Sequence, residues 1–232
     1  MIEEAIRSGI RIEAVFFRES AQKLGEKLLP QLGSHTEVLL LPDEVFSSAV
    51  NTESPQGVAA LVRLRSTKFE YLVEATGSEL FLMGAAGLQD PGNLGTIIRS
   101  AEAFGANAVL LGEKTVSPFN AKVIRASAGS MFREPVIPVK MRDTIGRLRS
   151  RGVRVVATSS HKGIPVSDAN LTGPCLILIG NEGAGLSHEL LAEADELIVI
   201  PHSPRVESLN AGIAASIILY EAARQRKAGS GE

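Results

Sequence analysis

Three short segments place side chains capable of chemistry among residues that are not. In "QDPGNLGTIIRSAEAFG", 89–105, the amide of Asn93 and the guanidinium of Arg99 follow a Pro-Gly pair. In "IGNEGAGLS", 179–187, the carboxylate of Glu182 stands among glycines 180, 183 and 185. In "PRVESLNAGIAASI", 204–217, Glu207, Ser208 and Asn210 precede an uncharged run of Ala, Gly, Ser and Ile. Glycines let a backbone approach a ligand closely. Here their order is neither the dinucleotide fingerprint nor a phosphate loop, since no Gly-Lys-Ser or Gly-Lys-Thr follows. A carboxylate in such a loop repels a diphosphate but tolerates adenosine or a cation.

Each of these residues also has a plainer reading. Asp90-Pro91-Gly92-Asn93 carries Pro and Gly at the two central positions of a type II turn, with Asn93 as the cap of the following helix. On that helix Ile97, Ile98, Ala101 and Phe104 share one face, Gly105 ends it, and Arg99 lies off the face. Arg99 then either pairs with Glu102 on the surface or serves as a cation beside the loop for an anionic ligand. Ser187 reads as a helix cap. Ser208 and Asn210 either cap the last helix or line a polar pocket, and two polar side chains exceed what a cap needs. The last helix itself, with no charge over 208–217, is expected to be buried nearly all round. None of the four histidines, His35, His161, His188 and His202, has the spacing of a base or of a metal ligand, so loop or surface positions are expected for them and no metal.

These loops require strands and helices to hold them. From residue 79 onward short apolar runs alternate with stretches of helical spacing: "ELFLMGAAG", "NAVLLG", "PVIPV", "VRVVATSS", "CLILIG" and "ELIVIP", with helices near 94–104, 118–130, 143–151 and 186–193 and a final one. Such alternation predicts a parallel sheet covered on both faces, and each of the three loops sits where a strand ends and a helix begins, the ligand-binding edge of open α/β sheets. The first 66 residues repeat the pattern on a smaller scale with "EAVFF", "VLLL" and "GVAALVRL" as strands. Residues 66–79 read as the junction, and the tail "AGSGE" as frayed.

Composition narrows the class. With 232 residues, 44% of them apolar, and a formal charge of -2, the chain is long enough for one large or two modest cores. Its uncharged stretches fall short of the roughly 20 apolar residues of a membrane span, and its start lacks the order of a signal peptide. The one cysteine, Cys175, excludes an internal disulfide, reads as a small core hydrophobe and suggests a reducing cytoplasm. Seven basic residues between Arg133 and Arg154, against Glu134 and Asp143, form either a phosphate-binding cluster or a solvated face; "RQRK" closes the chain. Two Tyr and no Trp give no support to a stacked-aromatic platform for nucleic acid.

Taken in order, the three segments resemble the SpoU (TrmH-type) RNA ribose 2'-O-methyltransferases of the SPOUT superfamily. The likeness rests on Asn-x5-Arg (Asn93, Arg99), the acid-bearing "IGNEGAGLS", and the Ser-Leu-Asn that opens the last helix, and it covers about 79–227. It implies an S-adenosylmethionine cofactor, an RNA substrate (rRNA or tRNA, rRNA favoured), a homodimer with shared sites, and a trefoil knot that general rules of chain topology disfavour. By the same resemblance Thr158, Gly180, Asn181, Glu182, Gly183, Ile200, Ser208, Leu209 and Asn210 hold the cofactor. Arg99, Asn93, Glu182, Ser208 and Asn210 make the catalytic centre, and the small residues of 211–216 allow close packing at the dimer interface and in the knot. Residues 79–232 correspond to the methyltransferase domain and 67–78 to a linker. Residues 1–66 resemble an RNA substrate-binding domain of the ribosomal-protein L30e type, starting at or near a point resembling Ile2 and so expected to be short or incomplete. Arg205 and "IPHSP" depart from the family pattern, which bears on substrate choice. A catalytically silent RNA-binding protein on the same fold, or a nucleotide-dependent α/β enzyme of other chemistry, are the alternatives. The intact polar set weighs against the first and the missing phosphate-loop order against the second.

Overall fold

The computed structural model describes residues 1–50, 56–64, 67–76 and 80–229. Its contacts divide into two units, Met1–Arg65 and Ser66–Glu232. In the first, α1 (Ile2–Arg7), β1 (Arg11–Arg18), α2 (Gln22–Leu28), β2 (Glu37–Leu41), α3 (Asp43–Ala49) and β3 (Val58–Arg63) follow one another. The sheet order is β2-β1-β3, with β1 parallel to β2 and antiparallel to β3. Central β1 buries Ile12, Ala14, Val15 and Phe17, and Leu28 and Phe46 are buried with them. All three expected strands form.

The second unit opens with α4 (Phe69–Thr76), in the stretch read as a linker. Phe69, Leu72 and Val73, at i, i+3 and i+4, give it an apolar face that joins the main core with Leu82, Leu110 and Leu176. Residues 65–66, 77–79 and 230–232, which include parts of the junction and of the tail, lie outside the described residues. Then come β4 (Phe81–Ala85), α5 (Pro91–Ala103), β5 (Ala108–Leu111), α6 (Ala121–Ala126), β6 (Val136–Pro138), α7 (Met141–Arg149), β7 (Arg154–Thr158), β8 (Ile164–Pro165), β9 (Cys175–Ile179), α8 (His188–Ala192), β10 (Glu196–Val199) and α9 (Ala211–Gly229). Seven strands form one sheet in the order β6-β5-β4-β9-β7-β10-β8, and every pairing in it is parallel. Central β4 and β9 are buried at every residue, as a sheet covered on both faces requires. Cys175 lies in that core, where burial pushes its thiol pKa up despite the nearby Arg226.

Two expectations about local structure are corrected. Helix α5 begins two residues before Asn93, and its cap is Asp90, whose Oδ1 accepts from Asn93 N at 2.8 Å. Proline has no N–H to satisfy and a preset φ, so Pro91 suits the first helical position better than the centre of a turn. Helix α9, in turn, is not enclosed. Ala211, Ala215, Ile218, Leu219 and Ala222 are buried, but Ile213, Ile217 and Tyr220 are 53%, 38% and 56% exposed. One flank of it packs on α5, with Ser100 Oγ 2.7 Å from Ser216 Oγ and the Phe104 ring edge-on to Tyr220 at 5.7 Å.

The basic run that begins at Arg133 is largely neutralised within the chain. Arg133 binds Glu102; Arg142 and Arg149 meet Glu193 at 3.5 and 2.9 Å; Arg147 meets Glu70 at 3.0 Å; Arg154 lies 3.8 Å from Glu196. The solvated-face reading therefore describes it.

Candidate active site

The parallel sheet delivers its loops to one edge. Ala85 pairs with Ile179, so the chain segments leaving β4 and β9 emerge side by side, joined again by Ala86 N to Ile179 O at 2.9 Å. Thr158 pairs with Ile198, which brings the loops after β7 and β10 next to them.

The glycine loop folds around Asn181. Its Oδ1 accepts from Gly183 N at 2.9 Å and Ala184 N at 3.0 Å, and its Nδ2 donates to Gly87 O at 2.9 Å. Backbone bonds between Asn181 and Gly185 close the loop at 3.0 and 2.9 Å. A Cβ on Gly180 would lie 2.2 Å from the Gly185 carbonyl carbon, so only glycine fits there.

Glu182 then reaches across to the start of α5. Its Oε1 accepts from Asn93 Nδ2 at 2.9 Å and Asp90 N at 3.1 Å, and its Oε2 from Gln89 N at 3.3 Å. Burial pushes the Glu182 pKa up. The Asn93 amide and the backbone N–H groups of Glu182, Asp90 and Gln89 more than offset this, and the net shift is downward. Two loops far apart in sequence are thus clasped by one ionised carboxylate.

The third loop ends at Asn210, which caps α9 by accepting from Ile213 N at 3.1 Å. Ser208 and Leu209 precede the helix and are free of that duty. A Cβ on Gly212 would lie 3.3 Å from both Asn210 Oδ1 and Asn93 Cα, so the starts of α5 and α9 abut. Asn93, Glu182 and Asn210 meet at this junction.

A cavity of about 400 Å³ opens beside it. Of the nine residues the family likeness assigns to a cofactor, Thr158, Gly180, Asn181, Glu182, Gly183, Ile200, Ser208 and Leu209 line it, and Asn210 does not. Asn93 and Arg99 also lie outside the lining. Leu186, Leu191, Ile198 and Ile218 add apolar wall, and Glu207 a second carboxylate. A neighbouring cavity of about 550 Å³ shares Ser160, His161, Ile200, His202 and Glu207 with the first and adds Arg205.

His161 and His202 thus belong to the site, which their spacing did not reveal. The signal available was position: each stands three residues beyond the end of a strand, β7 or β10, on the edge where such sheets bind ligands. His202 Nδ1 lies 2.7 Å from Ile200 O, and a carbonyl only accepts, so Nδ1 carries the hydrogen and Nε2 is left free.

Arg99 is exposed and, among the described residues, has no hydrogen bond or ion pair. The reading that pairs it with Glu102 is corrected, because Arg133 occupies that carboxylate, with Nη2 3.0 Å from Oε2. What the arrangement can hold follows from its chemistry. The volume lies in the usual range for small-ligand sites, the apolar wall suits a flat ring, and two carboxylates with no basic side chain other than the histidines favour a cationic ligand over a polyphosphate.

Comparison with known proteins points the same way. The SpoU rRNA Methylase family matches residues 81–220, and the RNA 2'-O ribose methyltransferase substrate binding family matches residues 1–67. The chain is 32% identical over 220 residues to the 23S rRNA (guanosine(2553)-2'-O)-methyltransferase RlmP of Bacillus subtilis, covering 95% of this chain and 84% of that one. It is 33% identical over 199 residues to the 23S rRNA (uridine(2479)-2'-O)-methyltransferase of Streptomyces viridochromogenes, covering 83% and 69%. Among solved structures, the SpoU methyltransferase AviRb of Streptomyces viridochromogenes in complex with AdoMet superposes with a TM-score of 0.85 at 30% identity, covering 97% of this chain and 87% of that one. Matched over most of its length in sequence and in fold, the chain belongs to the SpoU rRNA Methylase family.

Proposed function

We propose that the protein transfers a methyl group from S-adenosylmethionine to a ribose 2'-hydroxyl of RNA, ribosomal RNA before transfer RNA. The observation that carries this is the cavity at the sheet edge, where two carboxylates face a pocket fit for a flat ring and a cation. The names of the relatives support the RNA and the position on the ribose. When bound, S-adenosylmethionine would supply an electrophilic methyl group, and Glu182 and Glu207, which line the cavity, would favour its positive charge. Gly180, Ile200 and Leu209 hold its adenosine and methionine parts, with Thr158, Asn181 and Gly183 completing the seat. Ser208, Asn210 and the Glu182–Asn93 clasp order the catalytic centre.

Arg99 stabilises the negative charge that develops on the 2'-oxygen. A guanidinium, with a pKa above about 12, acts as a donor rather than as a base at neutral pH. Arg99 does not line its own chain's cavity, and in a homodimer it reaches the site of a second copy. The exposed Ile213, Ile217 and Tyr220 of α9, beside the small-residue stretch 211–216, support that assembly. Residues 1–66 serve as the RNA substrate-binding domain and 79–232 as the methyltransferase domain, with β7, β9, β10 and α9 threaded as a trefoil knot. No metal takes part. The setting is the cytoplasm, in keeping with a free, buried Cys175 and with the lack of any helix among the described residues long and apolar enough to cross a membrane.

Isothermal titration tests the cofactor. S-adenosylmethionine and its demethylated product should bind, and ATP and NAD far more weakly; preference for the phosphate-bearing ligands would refute the proposal.

A further inference from the structure

All eight phenylalanines lie within the described residues, and only Phe119 is exposed, at 65%. One exposed ring carries little meaning alone, but this one is rigidly presented. Pro118 before it is buried, its own N–H reaches Ser117 Oγ at 3.3 Å, and Asn120 after it caps α6 by accepting from Lys122 N at 2.8 Å. The segment is also fastened to the loop that carries Asp90. Val116 N donates to Leu88 O at 2.8 Å, Gly87 N to Thr115 Oγ1 at 3.1 Å, and Gln89 Nε2 to Lys114 O.

Exposed cations stand on the same segment and on the helices beside it. Gly95 packs against α6 so closely that a Cβ on it would lie 2.4 Å from Ala126 Cβ. Residues four apart share a helix face, so Arg99 leaves α5 on the side that α6 flanks. Lys114, Lys122 and Arg125 are exposed on the same segment and helix. Among the described residues the side chains of Arg99, Lys114 and Arg125 have no ion pair, and Lys122 Nζ stands 3.9 Å from Asp90 Oδ2. The nearby acids are otherwise engaged, Glu102 by Arg133 and Glu113 by Met141 N at 3.3 Å. Among the described residues three of these four cations have no ion pair, whereas most of the run from Arg133 to Arg154 is paired.

We propose that Phe119 is a stacking platform for an unpaired nucleobase of the RNA substrate, with Lys122 and Arg125 on the flanking phosphates. An exposed aromatic face beside exposed cations is what single-stranded RNA recognises. Every base has a π face, and phosphates supply the opposite charge. Phenylalanine has no hydrogen-bonding group, so the ring sets the plane of a base near the methylated nucleotide without reading its identity. The inference rests on the proposed RNA methyl transfer.

The chain contains no tryptophan, so Phe119→Trp installs a single fluorophore at the platform. A short oligoadenylate should quench its emission, and the variant should keep the wild-type KM for ribosomal RNA. Phe119→Leu keeps apolar bulk without the π face and should raise that KM about tenfold, with kcat, S-adenosylmethionine affinity and the light-scattering mass unchanged. An unchanged KM in Phe119→Leu together with no quenching would overturn the platform. So would a lower oligomeric mass in Phe119→Leu, which would show the ring to be covered by a second copy. Wild-type protein is assayed for methyl transfer in parallel: a failure there overturns the underlying reading, and the platform with it, whereas wild-type transfer with an indifferent Phe119→Leu overturns the platform alone.

Discussion

At the scale of the residue, Arg99 concentrates the mechanism. It is exposed, it lacks a partner among the described residues, and the acid three positions on is held by Arg133. A guanidinium left free in this way is available to a ligand. Removing a contact made in the transition state should lower methyl transfer by about 10²–10³-fold while leaving cofactor affinity nearly unchanged. Arg99→Lys keeps the charge but loses the planar, two-pronged donor and should stay strongly impaired. Single-turnover transfer of labelled methyl by wild type, Arg99→Ala and Arg99→Lys, with titration of the cofactor alongside, measures both quantities; alanine at the wild-type rate would return Arg99 to a surface role. The residue types of the site were readable in the sequence. The hydrogen bond from Asn93 Nδ2 to Glu182 at 2.9 Å was not, since the two stand in different loops and nothing in either loop names the other.

At the scale of the element, α9 divides its labour between two faces. Ala215 is fully buried within its own chain, so its small size serves the fold. Ala215→Leu should cost about 1–3 kcal/mol of stability by overpacking, seen in denaturant unfolding. Ile217, on the exposed side, should instead govern assembly. Ile217→Lys should leave the melting of the single chain little changed and shift the light-scattering mass from dimer to monomer, with loss of methyl transfer. A monomeric wild type that is nonetheless active would defeat the shared-site proposal. The sequence reading expected burial nearly all round because 208–217 carries no charge on any side, and an exposed apolar residue there looks the same as one facing a core. Helix α4 was missed for the opposite reason: its apolar positions Phe69, Leu72 and Val73 are interleaved with polar ones that suggested a linker.

At the scale of the whole molecule, two carboxylates tie stability to pH with opposite signs. Glu134 is buried, and burial first and the charge of Glu102 second push its pKa up to about 8 from an ordinary 4.5. The folded chain holds that proton more tightly than the unfolded chain, so the contribution is whole below 4.5 and is lost as pH rises toward about 8. Glu182 has a lowered pKa, so its contribution is present above the ordinary carboxylate value and is lost as pH falls through the folded one. Glu134→Gln removes the first effect. Its melting temperature relative to wild type should climb as pH rises from 4.5 to about 8, by about 2–4 °C for each kcal/mol recovered. A difference that stays flat with pH in thermal scans would show that Glu134 does not titrate in this way. The alternation of apolar runs with helical spacing determined a parallel α/β sheet by itself, because burial on both faces demands continuously apolar strands. The loop chemistry was likewise local and legible. Only the tertiary structure decided which strands are neighbours, and so that Glu182 clasps Asn93, that His161 and His202 enter the cavities, and that Arg99 stays outside its own. Those are contacts between residues distant in sequence, set by strand order, and no local pattern of residue types encodes the order in which strands pair.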